Sequence, residues 1–83
     1  VMAVEIKSKL LQKHVNDHIE RMEKLRQYGE EHGDKRKLLG ALAGAIVKKD
    51  AREYAIQKGF YVIEQSGDTV KIEMPEKFKP KAW

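Results

Sequence analysis

The fold of this chain is decided by one apolar stretch, Leu38-Leu39-Gly40-Ala41-Leu42-Ala43-Gly44-Ala45-Ile46-Val47. No residue in this stretch is polar, and apolar and polar residues do not alternate along it. A short apolar run of this kind is typical of a central strand in a parallel sheet that is covered on both faces. A buried helix is the competing interpretation, because periodicity alone does not separate the two. We favour the strand, whose small side chains would let helices pack close to the sheet.

The residues before this stretch predict a strand and a long amphipathic helix. The strand is the apolar segment Val1–Lys7. Apolar residues then recur every three or four positions, at Leu11, Val15, Ile19, Met22 and Leu25. This spacing is the stripe of an amphipathic helix, and Gly33 is a suitable terminator, so the helix is predicted at residues 10–32. The charged segment Asp34–Lys37 is then a short turn.

A short helix and a β-hairpin are predicted after the stretch. Asp50 and Glu53 have the spacing of a capping box, in which Asp50 would be the N-cap of the helix. The next strand is Phe60–Gln65, followed by a tight turn at Ser66–Asp68. The last strand is Thr69–Met74, which alternates apolar and polar residues.

These elements follow the order β-α-β-α-β-β and predict a small three-layer α/β unit. Two right-handed crossovers make the first three strands parallel, and the hairpin adds an antiparallel edge strand. All 83 residues form one domain, which ends in an extended basic tail at residues 75–83. Phe78 and Trp83 in this tail are expected to cover the sheet edge or a neighbour, and base stacking by Trp83 is the alternative.

The composition excludes several classes of protein. The chain has no cysteine, which excludes disulfides and thiolate metal sites and favours a reducing, cytoplasmic location. The longest apolar run has ten residues, too few to span a bilayer, and no signal peptide is visible. The content of 41% hydrophobic and 36% charged residues indicates a soluble domain with a solvated exterior. The net charge of +4 is compatible with a polyanionic partner.

The leading candidate for chemistry is the pair Glu5 and Lys7. Successive side chains of a strand point to opposite faces, so these two project together while Val4 and Ile6 face the other way. A carboxylate for a hard cation, with an ammonium beside it, suits metal-assisted attack of water on a phosphate. Glu-x-Lys alone is a weak motif, and a half-exposed strand with opposite charges on its polar face is the alternative. Lys9 has the same parity and either extends the basic face toward a phosphate backbone or is solvated.

Other polar residues are weaker candidates. His14 and His18 lie one helical turn apart, a spacing able to chelate a metal, but no third ligand is near and we favour a packed histidine at His18. Arg21 follows one turn later, where it either meets a phosphate or pairs with Asp17. The cluster Lys35-Arg36-Lys37 either touches nucleic acid or is solvated, as charge clusters at the ends of elements usually are.

Four stretches of the sequence carry a resemblance to a known family: Val4–Lys7, Asp17–Arg26, Gly33–Gly40 and Tyr61–Asp68. Together with the order of elements, they resemble the C-terminal part of a PD-(D/E)XK, or restriction-endonuclease-like, domain. The similarity extends to a group of uncharacterised prokaryotic proteins of that superfamily, often with a helical segment upstream. It covers nearly all 83 residues and implies a partial restriction-endonuclease-like core.

This resemblance implies metal-dependent hydrolysis of DNA phosphodiester bonds. Glu5 would hold Mg²⁺ or Mn²⁺ together with an acidic residue on a preceding strand, and the carbonyl of Ile6 offers a further contact. Lys7 would orient the attacking water and stabilise its hydroxide form. A catalytically silent nuclease-like fold that binds DNA or a protein partner is the alternative.

The strand that would carry the other acidic residue is not among these residues. We therefore expect an inactive fragment of a longer nuclease-like domain, because one carboxylate and several waters hold Mg²⁺ weakly. A first strand with one unpaired edge also tends to pair with another chain. We expect a homodimer through Val1–Lys7 or through an exchanged element.

Overall fold

The computed structural model describes residues 1–83 and contains two helices and four strands. Their bounds are β1 Met2–Leu10, α1 Gln12–Glu31, β2 Leu39–Val47, α2 Lys49–Gln57, β3 Tyr61–Ser66 and β4 Thr69–Glu73. The predicted order β-α-β-α-β-β is confirmed. The deciding apolar stretch is a strand and not a helix. Neither helix is long and apolar enough to cross a membrane.

The four strands form one mixed sheet in the order β1-β2-β3-β4. β2 pairs in parallel with β1 on one side and with β3 on the other, while β3 and β4 form an antiparallel hairpin. The predicted α/β fold with a parallel core and an antiparallel edge is therefore confirmed. β1 and β4 are the two edge strands.

Both helices lie on the same face of this sheet. Glu5, Leu42, Val62 and Glu73 are cross-strand neighbours and form one row across that face. Arg21 of α1 pairs with Glu5 at one end of the row, and Arg52 of α2 pairs with Glu73 at the other. The unit thus has two layers, and the predicted third layer is absent. The reason is topological: both crossovers move in the same direction along the sheet, so right-handed connections put both helices on one side.

The opposite face of the sheet carries apolar side chains that no helix covers; we call it the open face. Its apolar members are Met2, Val4, Ile6, Leu39, Ala41, Ala43, Ala45, Ile46, Tyr61, Ile63, Val70, Ile72 and Met74, placed by the strand register and by exposure. The expectation that β2 is covered on both faces is therefore wrong. The alternation predicted in β4 is correct, but its apolar residues Val70 and Ile72 are exposed, whereas Glu73 turns toward the helices.

The core lies between the helix layer and the other face of the sheet. It consists of Leu10, Val15, Met22, Leu42, Val47, Ala55, Phe60, Val62 and Trp83. Helix and sheet approach closely at Gly40, where a β-carbon would lie 2.6 Å from the Phe60 ring and 3.0 Å from the Met22 methyl group. Glycine at this position therefore allows the Phe60 ring to pack directly against β2.

The helix ends agree with the sequence in one case and differ in the other. α1 ends at Glu31, followed by Gly33 with a φ of 74°, as expected of a terminator. α2 begins at Lys49 and its N-cap is Lys48, so the prediction that Asp50 is the N-cap is wrong. The Lys48 N–H is held by the Leu10 carbonyl at the end of β1, which fixes the start of the helix two residues earlier. Asp50 lies in the first helical turn, where its charge favours the helix dipole.

The tail at residues 75–83 crosses the amino ends of the parallel strands. The N–H of Lys81 donates to the Gly59 carbonyl at 3.0 Å, and the N–H of Trp83 donates to the Leu38 carbonyl at 2.8 Å. Phe78 packs edge-on against Tyr61, and Trp83 stacks on Phe60 with ring centroids 5.2 Å apart. The aromatic residues of the tail therefore cover the sheet, as expected, and the buried Trp83 offers no face to a nucleic-acid base.

Candidate functional site

The centre of the site is Glu5, whose carboxylate lies beside the ammonium of Lys7. The Lys7 Nζ is 3.4 Å from Glu5 Oε1, and both side chains project from β1 toward the helix layer. The prediction that the two share a face is confirmed. Glu5 is largely shielded, with 16% of its side chain exposed, while 42% of the Lys7 side chain remains exposed.

A third charged group comes from α1. Arg21 donates from Nη1 to Glu5 Oε2, so the two carboxylate oxygens pair with two different cations. Arg21 thus pairs with Glu5 and not with Asp17, one of the two partners considered from the sequence, and its contact with a phosphate stays a prediction. The Arg21 side chain is 58% exposed, so water screens this pair and its contribution to stability is about 1 kcal/mol or less.

His18 is part of the core below this charged group. Its Nε2 lies 3.2 Å from the Ala3 carbonyl, and its ring packs against Phe60 with centroids 5.1 Å apart. Burial lowers the pKa of His18, against smaller raising effects from the Ala3 hydrogen bond and the nearby Glu5 charge. The expectation that His18 is packed in the core is therefore confirmed. The Nδ1 of His14 accepts a hydrogen bond from the Leu11 N–H at 3.0 Å at the start of α1.

The carbonyl of Ile6 lies on the free edge of β1. The Leu39 N–H donates to the Val1 carbonyl at 2.8 Å, so odd-numbered residues of β1 direct their backbone groups toward β2. Even-numbered residues therefore direct theirs to the unpaired side, because successive peptide groups in a strand alternate in direction. The side chain of Ile6 belongs to the open face and is 74% exposed.

These residues do not by themselves fit a divalent metal ion. Glu5 is the one carboxylate of the site, and its two oxygens already face Arg21 and Lys7. No group of three or more His, Asp or Glu side chains anywhere in residues 1–83 is arranged to hold a metal. A magnesium or manganese centre at Glu5 requires at least one further acidic group from outside these residues.

The basic residues predicted to contact nucleic acid are not gathered on one surface. Lys35, Arg36 and Lys37 lie in the turn before β2, where the Lys37 carbonyl accepts from the Val1 ammonium at 2.9 Å. Lys9 lies near the other end of β1, roughly 25 Å away at the usual strand rise. Arg36 is also occupied, because it donates to both carboxylate oxygens of Asp34 and thereby lowers the pKa of that carboxyl group.

Lys9 departs from the parity that the sequence suggested. The alternation of β1 shifts after Lys7, so that the next buried residue is Leu10 and Lys9 is exposed. The same shift occurs in β2 between Gly44 and Val47, the residues paired with Lys7 and Leu10. Lys9 therefore does not extend the row formed by Glu5 and Lys7.

One ion pair of the helix-facing side was not found by sequence reasoning. Arg52 Nη1 lies 3.1 and 3.0 Å from the two oxygens of Glu73, and only 9% of the Glu73 side chain is exposed. The signal for it is the alternation of β4, which places Lys71 and Glu73 on the face opposite the apolar residues. This pair joins α2 to the edge strand β4.

No protein-family model matches this chain, and neither a curated protein nor a solved structure matches it. The chemistry of Glu5, Lys7 and Arg21 therefore carries the functional proposal.

Proposed function

We propose that this chain is the C-terminal part of a metal-dependent DNA nuclease domain of the PD-(D/E)XK type, and that these 83 residues alone do not cleave DNA. The observation that carries the proposal is the contact between Glu5 and Lys7 at 3.4 Å on one face of an edge strand. It brings together the carboxylate and the ammonium that phosphodiester hydrolysis by this family requires, at the spacing Glu-x-Lys.

The free edge of β1 supports the proposal. A strand added there would place one side chain directly opposite Glu5 on the same face, with the two β-carbons about 4.5–5.5 Å apart. A carboxylate at that position would lie close enough to share an ion with Glu5. The carbonyl of Ile6 already faces this edge. Such a strand would come from a longer protein that contains these residues or from another chain.

Lys7 and Arg21 have different roles in the proposed centre. The exposed ammonium of Lys7 would orient the attacking water and stabilise negative charge that develops on it or on the phosphate. Arg21 reaches the other oxygen of Glu5 from α1 and positions the carboxylate. The metal would supply charge at the phosphate oxygens, and no residue of this chain replaces it.

A catalytically silent fold that binds DNA or protein is the second candidate. The pairing of both Glu5 oxygens with cations favours it, because a carboxylate neutralised in this way has less need of a metal. In that case Glu5 would be structural, and Lys7 and Arg21 would contribute to stability or to contacts with phosphate.

Two measurements test the proposal. Supercoiled plasmid incubated with the 83-residue chain and Mg²⁺ or Mn²⁺ should remain intact, and cleavage would refute the proposed inactivity. In a longer protein that contains these residues, Lys7→Ala should abolish cleavage while DNA affinity is largely kept. Lys9→Ala is the matched control, because Lys9 lies on the same strand but away from Glu5, and it should keep cleavage. DNA binding without cleavage by the unsubstituted longer protein would favour the silent fold.

A further inference from the structure

The open face is the largest feature that the proposed function does not use. Its exposed apolar side chains include Ile6 at 74%, Val70 at 65% and Ile72 at 55%. The polar residues Ser8 and Gln65 beside them carry no charge, and Lys7, which also lines this surface, directs its ammonium toward Glu5 on the helix side. Parallel strands are usually covered on both faces, because each face of such a sheet is apolar. A continuous apolar surface of this kind marks an interaction site.

The open face has a groove along β2 and ridges on either side. Ala43 and Ala45 form the floor, and the larger side chains of Ile6 on β1 and Ile63 on β3 form the walls. The groove has a volume of about 310 Å³. A ridge of branched aliphatic side chains from a second sheet matches this relief.

We propose that a second copy of this chain covers the open face in a two-fold dimer. A two-fold axis parallel to the strands, placed between β2 and β3, lays the β3 ridge of each copy over the β2 groove of the other. Ile63 of one copy then faces Ala43 of its partner and the reverse, as an isologous interface demands. The same operation sets β4 of each copy against β1 of the other, so every strand of the sheet is covered. Two packed sheets lie about 10 Å apart, the thickness that interdigitated side chains fill.

The charge distribution favours an identical partner. Each chain carries +4, but within the four strands the charged side chain on the open side is Lys9, at the end of β1, so two copies can approach over β2 and β3 without burying a charge. A single Lys at the end of β1 gives a phosphate backbone little to bind on this face. The open face of a second copy is thus an apolar partner for this face.

The area of the proposed interface determines how strong a dimer we expect. Four strands about 4.8 Å apart and about six residues long give a flat footprint of roughly 400 Å² per copy, or roughly 800 Å² for the pair. Side-chain relief adds to this, but the interface stays at the lower end of the sizes found for specific complexes. We therefore expect a reversible dimer whose population depends on protein concentration.

Sedimentation equilibrium of the 83-residue chain, from micromolar to millimolar concentration, tests the proposal. The expected result is a monomer–dimer equilibrium. Ile6→Lys and Ile72→Lys each place a charge on the open face and should raise the dissociation constant by about tenfold or more. Leu25→Lys is the matched control, because Leu25 is an exposed apolar residue of α1, and it should leave the equilibrium unchanged. Circular dichroism and the environment of the buried Trp83 report that each variant is folded.

Several results would overturn the proposal. They are a monomer at all concentrations, a dimer that survives both substitutions on the open face, and an equal loss of dimer in Leu25→Lys. Hydrogen exchange separates this dimer from one formed through the edge of β1. The amides of Val4 and Ile6 point to that edge, so strong protection of them on association would assign the contact to the edge. A monomer that binds vesicles of zwitterionic phosphatidylcholine would assign the face to a lipid surface instead.

Discussion

The substitution Gly40→Ala is expected to destabilise the protein, although alanine is the smallest possible addition. The new methyl group would lie 2.6 and 2.7 Å from two carbons of the Phe60 ring and 3.0 Å from the Met22 methyl group. Phe60 and Met22 are fully buried, so neither can move away without disturbing the core. Overpacking of this kind costs about 1–3 kcal/mol. For a domain of this size, that lowers Tm by roughly 5–20 °C.

Gly29→Ala is the matched control for this substitution. Gly29 lies inside α1, and a β-carbon there would make ordinary contacts of 3.6 Å with Asp34. Alanine is favoured over glycine in a helix by about 0.5–1 kcal/mol, so the same chemical change should raise stability at this position. The two variants differ from the parent by one methyl group each and are expected to shift stability in opposite directions.

Urea denaturation followed by Trp83 fluorescence measures both effects, because Trp83 stacks on Phe60 in the core. The midpoint should fall for Gly40→Ala and rise for Gly29→Ala, with similar slopes. A midpoint for Gly40→Ala equal to or above that of the parent would refute the close packing of Phe60 on β2. A further variant, Gly40→Ala with Phe60→Leu, should lose less stability than the two separate losses added together, because the smaller side chain leaves room for the methyl group.

Three further predictions concern His18, Glu73 and Trp83. Burial lowers the pKa of His18 below its ordinary value of 6.5, so the unfolded chain binds this proton more readily. The free energy of unfolding should therefore fall as the pH drops below about 6.5 and stay constant above it; an equal decline in His18→Phe would contradict this origin. Glu73→Gln should lower the free energy of unfolding by about 1–2 kcal/mol, because it weakens the ion pair with Arg52, which is mostly shielded from water. Urea denaturation measures this loss. An equal loss in the control Glu53→Gln, whose ion pair with Lys49 is exposed, would argue against a specific effect of the Arg52 pair. Trp83→Ala should lower the free energy of unfolding, measured by thermal denaturation, by about 3 kcal/mol. A loss below about 1 kcal/mol would show that the packing of the tail against the core contributes little to stability.

The element order could be predicted from the sequence because each element has a local signal. The stripe from Leu11 to Leu25 marks α1, and the unbroken apolar run marks β2. The number of layers could not be predicted from the sequence, because it depends on the order of the strands in the sheet. Alternation in β4 separates Val70 and Ile72 from Glu73, but it does not say which set the helices cover. Both crossovers run the same way, which only the assembled sheet reveals.

The candidate site, too, could be predicted from the sequence only in part. Glu5 and Lys7 could be placed on one side from their spacing, since parity is a property of the strand alone. The contact of Arg21 with Glu5 depends on the angle at which α1 crosses the sheet, and the sequence contains no local signal for that angle. Lys9 was placed on the wrong side, because the alternation shifts at a position where no proline or unusual polar residue marks it.

The sequential order of the strands has a consequence for how this sheet can grow. Every strand lies beside its neighbour in the sequence, so no strand has to be inserted between two that have already joined. Such a sheet can form by adding one strand at a time, each pairing with the strand that precedes it in the sequence. Any additional strand can dock only along β1 or β4, without breaking an existing backbone hydrogen bond. The side of β1 next to Glu5 is thus a place where a late-arriving segment can attach or detach while the rest of the molecule stays folded.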